Sequence, residues 1–178
     1  MRIAITGLMM VTLGGAAMAG FAAKKLGAPL AGGRTAVALL KTPDGRDAGR
    51  ATVREVVGGM RVTVDARGFT PGDHGVHIHT VGRCDAPDFM TSGGHWNPTG
   101  TKHGSMNAMG PHEGDLPNLV ISTDGRGTVG VVVPGALFDG LVDADGSAMV
   151  VHAKADDLVT DPSGNSGARV ACGVFAKS

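Results

Sequence analysis

The stretch LVISTDGRGTVGVVV, residues 119–133, predicts a β-hairpin. Both of its arms, 119–123 and 128–133, are short and rich in β-branched residues, and the intervening Asp124-Gly125-Arg126-Gly127 favours a tight turn. Short β-branched segments of the same kind occur along the rest of the chain, at residues 35–40, 51–57, 60–66, 75–80, 149–153 and 168–175. Eight strands at this spacing predict an all-β domain built as a sandwich or a closed barrel.

The composition of the chain agrees with one such domain. It has 178 residues, of which 42% are hydrophobic, which suits a single domain and excludes a disordered chain. Thirty glycines and nine prolines indicate many turns and loops rather than long helices. The formal net charge is zero, so no overall field would draw the chain to nucleic acid or to an acidic membrane surface. Any attraction for an anion must therefore come from a local group.

The amino terminus has the pattern of a secretory signal peptide. Arg2 precedes an apolar run over residues 3–19, which closes on the small-residue sequence Ala17-Met18-Ala19. We expect residues 1–19 to be removed on export to the periplasm, leaving no membrane attachment. The alternative is an uncleaved anchor in the inner membrane, because the apolar stretch over residues 3–23 is just long enough to span a bilayer.

Two further segments follow the signal peptide. Residues 20–34, rich in Gly and Ala, are predicted to form a flexible linker, and residues 35–178 are predicted to form the folded domain. Export would place that domain in an oxidising compartment, where the two cysteines, Cys84 and Cys172, can form a lasting disulfide. Two separate buried thiols are the alternative interpretation.

Three histidines lie close together in the segment 74–79. In a strand, His77 and His79 project from the same face while their immediate neighbours point to the other face. Two imidazole rings placed in this way converge on one metal ion, although such a pair also occurs by chance on exposed strands. His74 has the opposite parity, and we interpret it as a structural histidine with hydrogen-bonded ring nitrogens.

A long stretch without hydrophobic periodicity, residues 81–117, carries further candidate ligands. His95, His103 and His112 are spaced eight and nine residues apart and are followed by Asp115. Three imidazoles and a carboxylate fit a closed tetrahedral zinc site, and the wide spacing lets the chain wrap around the ion. Polar loop histidines without a ligand role are the alternative, but a loop of this length in a compact domain then lacks an explanation.

His152 closes the apolar strand Met149–His152, and by itself a histidine there is more often a satisfied core residue. Taken together, however, the histidines and their neighbours closely resemble the copper/zinc superoxide dismutases. The resemblance extends from about residue 36 to residue 175, and all seven histidines match a family position in order and spacing. It is carried by the segments His74–His79, Gly94–Pro98, His103–Gly104, His112–Asn118, His152–Asp157 and Gly164–Gly173.

The resemblance implies two joined metal sites. Copper would be held by His77, His79, His95 and His152, and zinc by His95, His103, His112 and Asp115. His95 would be shared between the two ions, and Asp156 would accept hydrogen bonds from a ligand of each, although a solvated turn acid is the alternative for that residue. Arg169 would draw the anionic substrate toward copper, so that His95 and Arg169 are the implied catalytic residues. Cys84 and Cys172 would form the disulfide that ties the loop to the last strand.

The same resemblance implies an eight-stranded Greek-key β-barrel with long metal-binding and active-site loops, and an enzyme that disproportionates superoxide. A homodimer is compatible with it. Two positions depart from the family pattern: Thr80 stands where many members have a glutamate, and Val76 where many have an aromatic residue. Residues 159–168 contain a single acid, Asp161, unlike the acid-rich loop of many eukaryotic members. The sequence therefore does not indicate how the substrate is guided beyond Arg169.

Other functions are less compatible with these residues. A copper carrier on the same barrel would lack part of the bridged site or would carry a Cys-x-Cys transfer motif, and neither holds for this chain. A structural or adhesive β-domain would not need Arg169, Asp156 and the complete ligand set together. A zinc hydrolase would need an open coordination position, which a full set of four protein ligands does not leave.

Overall fold

The computed structural model describes residues 25–178, so the predicted signal peptide, residues 1–19, lies outside the described part of the chain. The regular structure of that part is almost all strand: β1 (Thr35–Lys41), β2 (Asp47–Val56), β3 (Gly59–Arg67), β4 (Gly72–His74), β5 (Val76–His79), β6 (Leu119–Ile121), β7 (Arg126–Pro134), β8 (Ala148–His152), β9 (Arg169–Val174) and β10 (Ala176–Lys177). A short helix, α1 (Phe138–Leu141), and a 3-10 turn at Met90–Ser92 are also present. Within residues 25–178, no helix is long and apolar enough to cross a membrane.

The strands form a curled antiparallel sheet with the order β5-β8-β9-β1-β2-β3-β7, and β10 pairs with β1. β4 and β6 form a separate two-stranded sheet. β3 pairs with β7 instead of with the strand that follows it, and β1 lies between β2 and β9, which are the crossed connections of a Greek key. The predicted all-β Greek-key barrel is confirmed. All eight predicted strands are present, and β4 and β10 are additional.

The segment predicted to form a hairpin, residues 119–133, contains β6 and β7 joined by the predicted turn, but the two strands do not pair with each other, because β6 pairs with β4 and β7 pairs with β3. Its turn is closed by the amide of Ser122, which donates to the carbonyl of Arg126 at 2.9 Å. Gly125 in this turn has a φ of 75°, a left-handed conformation that glycine adopts without steric cost. Because the chain enters β6 directly from residues 112–118, the pairing of β6 with β4 anchors one end of the histidine-bearing loop.

Inward-facing side chains of alternating strands fill the barrel. In β3, Met60, Val62 and Val64 are buried while their neighbours are partly or fully exposed. The same alternation in β1 buries Ala38 and Leu40. Burying a valine or leucine side chain contributes about 1.5–3 kcal/mol, so this core holds in place the strands on which the site is built.

β5 and β8 depart from the alternating pattern, because every residue of both strands is buried. Their inner face joins the core through residues such as Ile78. Their outer face is covered by the long loop, which makes two bridges with β5, between His77 and Asp115 and between His79 and His95. The outward-facing histidines of β5 are therefore enclosed between the barrel and the loop.

Residues 25–34, the described part of the predicted linker, run along the barrel. Pro29 forms a bridge with Val56 at the end of β2. The guanidinium of Arg34 forms an ion pair with the carboxylate of Glu55 at 2.8 Å. Both contacts join this segment to the end of β2, more than twenty residues further along the chain. Local composition does not record such contacts, which is why the Gly/Ala-rich sequence predicts a linker and a domain that begins only at residue 35.

Candidate metal centre

Four imidazoles converge at one end of the barrel. His77 and His79 extend from the outer face of β5, His152 ends the adjacent β8, and His95 lies on the loop segment that bridges to His79. One ring nitrogen of each lies within 4.8 Å of the corresponding nitrogens of the other three. The structure thus brings together the four residues predicted to hold copper. The strand parity inferred from the sequence places the first two of them on one face.

These four rings have unpartnered nitrogens. Within residues 25–178, no hydrogen-bond partner meets the buried Nδ1 of His77 or the buried Nε2 atoms of His79, His95 and His152. A buried polar atom without a partner is destabilising by about 1–3 kcal/mol, and such atoms in native structures mark a site for an ion or a reactant. Imidazole nitrogens are donors that suit copper, so this cluster fits a copper ion.

In His79 and His152, the hydrogen bond made by one ring nitrogen determines which nitrogen keeps its lone pair. His79 Nδ1 donates to the carbonyl oxygen of Gly93 at 2.9 Å, and His152 Nδ1 donates to that of Gly167 at 3.2 Å. With the proton held on Nδ1, the lone pair of each neutral ring is on Nε2, which is the unpartnered atom. The backbone therefore orients both rings as metal ligands.

Asp156 connects the copper cluster to a second cluster. Its carboxylate, almost fully buried, accepts a hydrogen bond from His77 Nε2 at 2.7 Å and another from His103 Nε2 at 3.0 Å. Both histidines are thereby held with the proton on Nε2 and the lone pair on Nδ1. Asn118 positions the acid, since its side chain bonds both the amide and the carbonyl of Asp156. These contacts match the bridging role that the resemblance implies and not a solvated turn acid.

The predicted zinc ligands meet at Asp115. His95 Nδ1 lies 2.9 Å from Asp115 Oδ1, His103 Nδ1 lies 3.1 Å from Oδ2, and His112 Nδ1 lies 3.2 Å from Oδ1. Four residues form a second group in which one potential ligand atom of each lies within 4.8 Å of those of the others: His77, His95, His103 and Asp115. His112 is therefore close to the carboxylate of Asp115 but lies outside this group of four. His77 belongs to both groups because the two clusters are adjacent.

Burial keeps the rings neutral. It lowers the pKa of His79 to about 2 and that of His152 to about 4, and it lowers the pKa of His77 well below its usual value. Burial alone would raise the pKa of Asp115, but hydrogen bonds from His95 and from a backbone amide outweigh it and leave that pKa low. At neutral pH these three buried imidazoles are therefore neutral and the carboxylate of Asp115 is ionised, the forms that bind metal.

A cleft of about 690 Å³ opens over the four-histidine cluster. Arg169, at the start of β9, lines it together with His79, His95 and His152. Burial lowers the pKa of Arg169 below its ordinary value. The guanidinium nevertheless stays charged at neutral pH, because its ordinary pKa is very high. The predicted anion-attracting residue thus lies in the same cleft as the predicted copper ligands.

The guanidinium of Arg169 is held by three hydrogen bonds. It donates to the carbonyl oxygens of Phe89 and Gly93, both at 2.8 Å, and to Ser92 Oγ at 2.9 Å. All three acceptors lie on the loop that contains Cys84. The predicted disulfide is confirmed, since Cys84 is bonded to Cys172, three residues beyond Arg169.

His74 lies outside both ligand groups, as its strand parity predicts. Its Nδ1 lies 2.7 Å from the carbonyl oxygen of His152, and its Nε2 lies 2.9 Å from that of Thr70. The ring thus supports the backbone of a predicted copper ligand and does not itself line the cleft described above.

Some residues of the centre have no individual signal in the sequence. Asp161 accepts a hydrogen bond from the amide of His103 at 2.8 Å, across 58 positions of the chain. Gly164 packs on Asp156, where a Cβ atom would lie 1.9 Å from Oδ1. The glycine is required because any side chain would displace the carboxylate that orients the ligands.

Comparisons with known proteins agree with this arrangement. The family model described as copper/zinc superoxide dismutase (SODC) matches residues 48–175. The Cu-Zn superoxide dismutase of Caulobacter vibrioides is 41% identical over 173 residues, covering 93% of this chain and 99% of the relative. Cu-Zn superoxide dismutase 2 of Aquifex aeolicus is 38% identical over 144 residues, covering 78% of this chain and 84% of the relative.

Solved structures give the same result. A SOD-like protein from Bacillus subtilis has a TM-score of 0.74 at 38% identity, over 79% of this chain and 97% of that one. The Cu/Zn superoxide dismutase from Brucella abortus has a TM-score of 0.65 at 29% identity, over 80% of this chain and 99% of that one. The family consists of oxidoreductases that use copper and zinc, and both histidine clusters fit these metals. With most of its length matched, this chain belongs to the copper/zinc superoxide dismutase family.

Proposed function

We propose that this chain converts superoxide to dioxygen and hydrogen peroxide, with two superoxide ions and two protons giving one molecule of each product. The observation that most supports this is the group of four buried imidazoles with unpartnered nitrogens, beside Arg169 in an open cleft. The cleft admits a small anion to the histidines. The guanidinium supplies a local positive charge on a chain whose net charge is zero.

In this proposal the two ions would share His95. Copper would be held by His77, His79, His95 and His152, whose unpartnered ring nitrogens face one another. Zinc would be held by His95, His103 and His112 together with the carboxylate of Asp115. An all-nitrogen set suits copper, and a four-donor set of nitrogen and oxygen suits structural zinc. When bound, copper supplies the one-electron redox change that the reaction requires and that zinc lacks.

The residues of the chain then have separate tasks. Arg169 attracts the superoxide anion and holds it in a fixed orientation through its planar group. While it is not bound to copper, His95 Nε2 would take up a proton from solvent and then deliver it to the second superoxide, and solvent would supply the other proton. Asp156 keeps His77 and His103 in the tautomers that leave Nδ1 free for metal.

Replacing His95 with alanine tests this assignment. We expect one copper and one zinc per chain in the loaded wild-type protein, measured by elemental analysis. The His95→Ala variant should lose most superoxide dismutase activity and give a changed copper(II) EPR spectrum, because the bridge between the sites is gone. Wild-type protein that takes up zinc but no copper under oxidising conditions would overturn the proposal, and so would a variant with intact activity and metal content.

We also propose that the protein acts in the periplasm after removal of residues 1–19. The disulfide between Cys84 and Cys172 supports an oxidising compartment. The intact mass of protein isolated from the native cell should correspond to a chain that begins near Gly20. Retention of Met1 in the membrane fraction would instead support the inner-membrane anchor formed by residues 3–23.

A further inference from the structure

We propose that Asp88 opposes Arg169 at the mouth of the cleft, so that it slows the entry of anions and rejects divalent anions more strongly than monovalent ones. This inference rests on the proposed function, because it concerns the approach of an anion to the copper site. Asp88 would then be a residue that determines specificity without touching the metal.

The position of Asp88 carries the first part of the argument. Among the described residues that line the cleft, the carboxylate of Asp88 and the guanidinium of Arg169 are the two full charges of opposite sign. Asp88 is exposed, and its Oδ1 accepts a hydrogen bond from the amide of Met90 at 3.1 Å. That bond holds the negative charge at the rim of the cleft.

The surroundings of Arg169 carry the second part. Its hydrogen bonds go to neutral oxygens, the carbonyls of Phe89 and Gly93 and the hydroxyl of Ser92, so no carboxylate of residues 25–178 forms an ion pair that cancels its charge. Burial lowers its pKa, and the negative charge of Asp88 acts in the opposite direction. The field of Asp88 therefore reaches the guanidinium, and the two charges act on the same volume of the cleft.

Asp161, an acid next to the cleft-lining Pro162, is engaged elsewhere. Its carboxylate lies 3.0 Å from the ammonium group of Lys102 and accepts the amide of His103. A paired charge contributes less to the field at a distance than an unpaired one. Asp88 is therefore the one carboxylate among the described residues that line the cleft, and its separation from Arg169 is restrained by the disulfide that links the two segments.

The charge dependence follows from Coulomb's law. The repulsion between Asp88 and an anion is proportional to the anion's charge, so a dianion loses twice the free energy that a monoanion loses at the same place. If neutralising Asp88 strengthens the binding of a monoanion about twofold, a typical effect of one partly screened charge, it strengthens that of a dianion about fourfold. A local change of shape would not give this relation.

Asp88→Asn tests the inference, because the amide oxygen of asparagine can still accept the Met90 bond. Asp73→Asn is the matched control, since Asp73 is an exposed acid on β4 outside the cleft and its replacement changes the net charge equally. Azide binding to the copper(II) form is measured from its charge-transfer absorption, and hydrogen phosphate binding at pH 8 from its competition with azide. We expect Asp88→Asn to tighten azide about twofold and phosphate about fourfold at low salt, with both differences shrinking at high salt.

The outcomes separate this inference from the proposed function. Wild-type affinities in Asp88→Asn, equal gains in Asp88→Asn and Asp73→Asn, or equal gains for azide and phosphate would each overturn the role of Asp88 while leaving the copper site intact. A wild-type protein that shows no copper(II) absorption and no azide response would instead overturn the proposed function. A superoxide rate constant about twofold higher in Asp88→Asn at low salt would further support the inference.

Discussion

Asp156→Asn should weaken the binding of one metal while leaving the fold intact. The carboxylate of Asp156 accepts three hydrogen bonds, from His77 Nε2 at 2.7 Å, from His103 Nε2 at 3.0 Å and from the amide of Leu158 at 2.6 Å. Asparagine has nearly the same volume but only one acceptor oxygen. Its NH₂ group must therefore face one of the N–H donors that the carboxylate now binds.

The consequence of this mismatch is a change of tautomer. The histidine that faces the NH₂ group gains a hydrogen bond only if its proton moves from Nε2 to Nδ1. In that tautomer the proton occupies the nitrogen assigned to the metal. Loss of an outer hydrogen-bond partner typically weakens metal binding by about 10–100-fold, which corresponds to about 1.4–2.7 kcal/mol.

Competition with chelators of known affinity measures this effect for copper and for zinc separately. If asparagine orients its oxygen toward His103, copper binding through His77 should weaken, and the opposite orientation should weaken zinc binding. Asp157→Asn is the control, because Asp157 is exposed and its carboxylate bonds backbone amides of the same loop. A surface change of that kind should alter either affinity by no more than about twofold.

Two results would refute the reasoning. Unchanged affinities for both metals in Asp156→Asn would show that Asp156 does not control the tautomers of His77 and His103. Equal losses in Asp156→Asn and Asp157→Asn would show that the effect comes from a loosened loop and not from the ligands. A folded variant with one weakened metal, by contrast, is the expected outcome, and circular dichroism checks that the fold is retained.

Three further predictions follow from the geometry. Arg169→Ile should retain both metals but lower the second-order rate constant with superoxide on the order of tenfold. Its rate constant should also depend less on salt than that of the wild-type protein. Equal rate constants and equal salt dependence in stopped-flow assays would contradict the role of the arginine. Replacing Cys84 and Cys172 with serine should lower the free energy of unfolding by up to about 4–5 kcal/mol. Without the disulfide, which joins residues 88 positions apart, the unfolded chain has much more conformational freedom. An unchanged midpoint of unfolding in denaturant would contradict this stabilising role of the disulfide. In the metal-free protein the pKa of His152 is about 4 and that of His79 about 2, so the unfolded chain, with ordinary values near 6.5, binds more protons below that pH. The metal-free protein should therefore lose stability as the pH falls from about 6.5 to 4, by up to about 1.4 kcal/mol per pH unit for each histidine, and urea titrations that show no such slope would contradict the burial argument.

Local patterns predicted the parts of this structure that depend on neighbouring residues. The alternation of side chains along a strand places His77 and His79 on one face whatever the rest of the chain does, and both extend from the outer face of β5. The turn around Gly125 is likewise present as predicted, but the pairing of its two arms was predicted wrongly, because their partners β4 and β3 come from distant parts of the chain. β4 and β10 were not predicted, because strands of three and two residues are too short to show a repeating pattern.

Contacts between distant segments were not predictable in the same way. Asp161 reaches the amide of His103 across 58 positions, and Arg34 reaches Glu55 across 21. Nothing near Asp161 in the sequence distinguishes it from a solvated loop acid, since the contact arises only when two loops fold against each other. The ligand set came from the resemblance to a family, which records such distant contacts as residues matched in order and spacing.

The same distant contacts explain why folding of the loops and binding of metal should be coupled. Asp115 and Asp156 have side chains that are 4% and 1% exposed, so two negative charges are buried at the centre of the loops. Hydrogen bonds from histidines hold them, but burying a carboxylate is unfavourable unless positive charge lies nearby. Divalent ions bound between these groups would supply that charge and also fill the unpartnered nitrogens, so binding must stabilise the folded state over the unfolded one. We therefore expect the long loop at residues 81–117, which lacks a hydrophobic pattern, to gain more protection from hydrogen exchange on metal loading than the strands β1 to β3, and uniform protection along the chain would contradict this coupling.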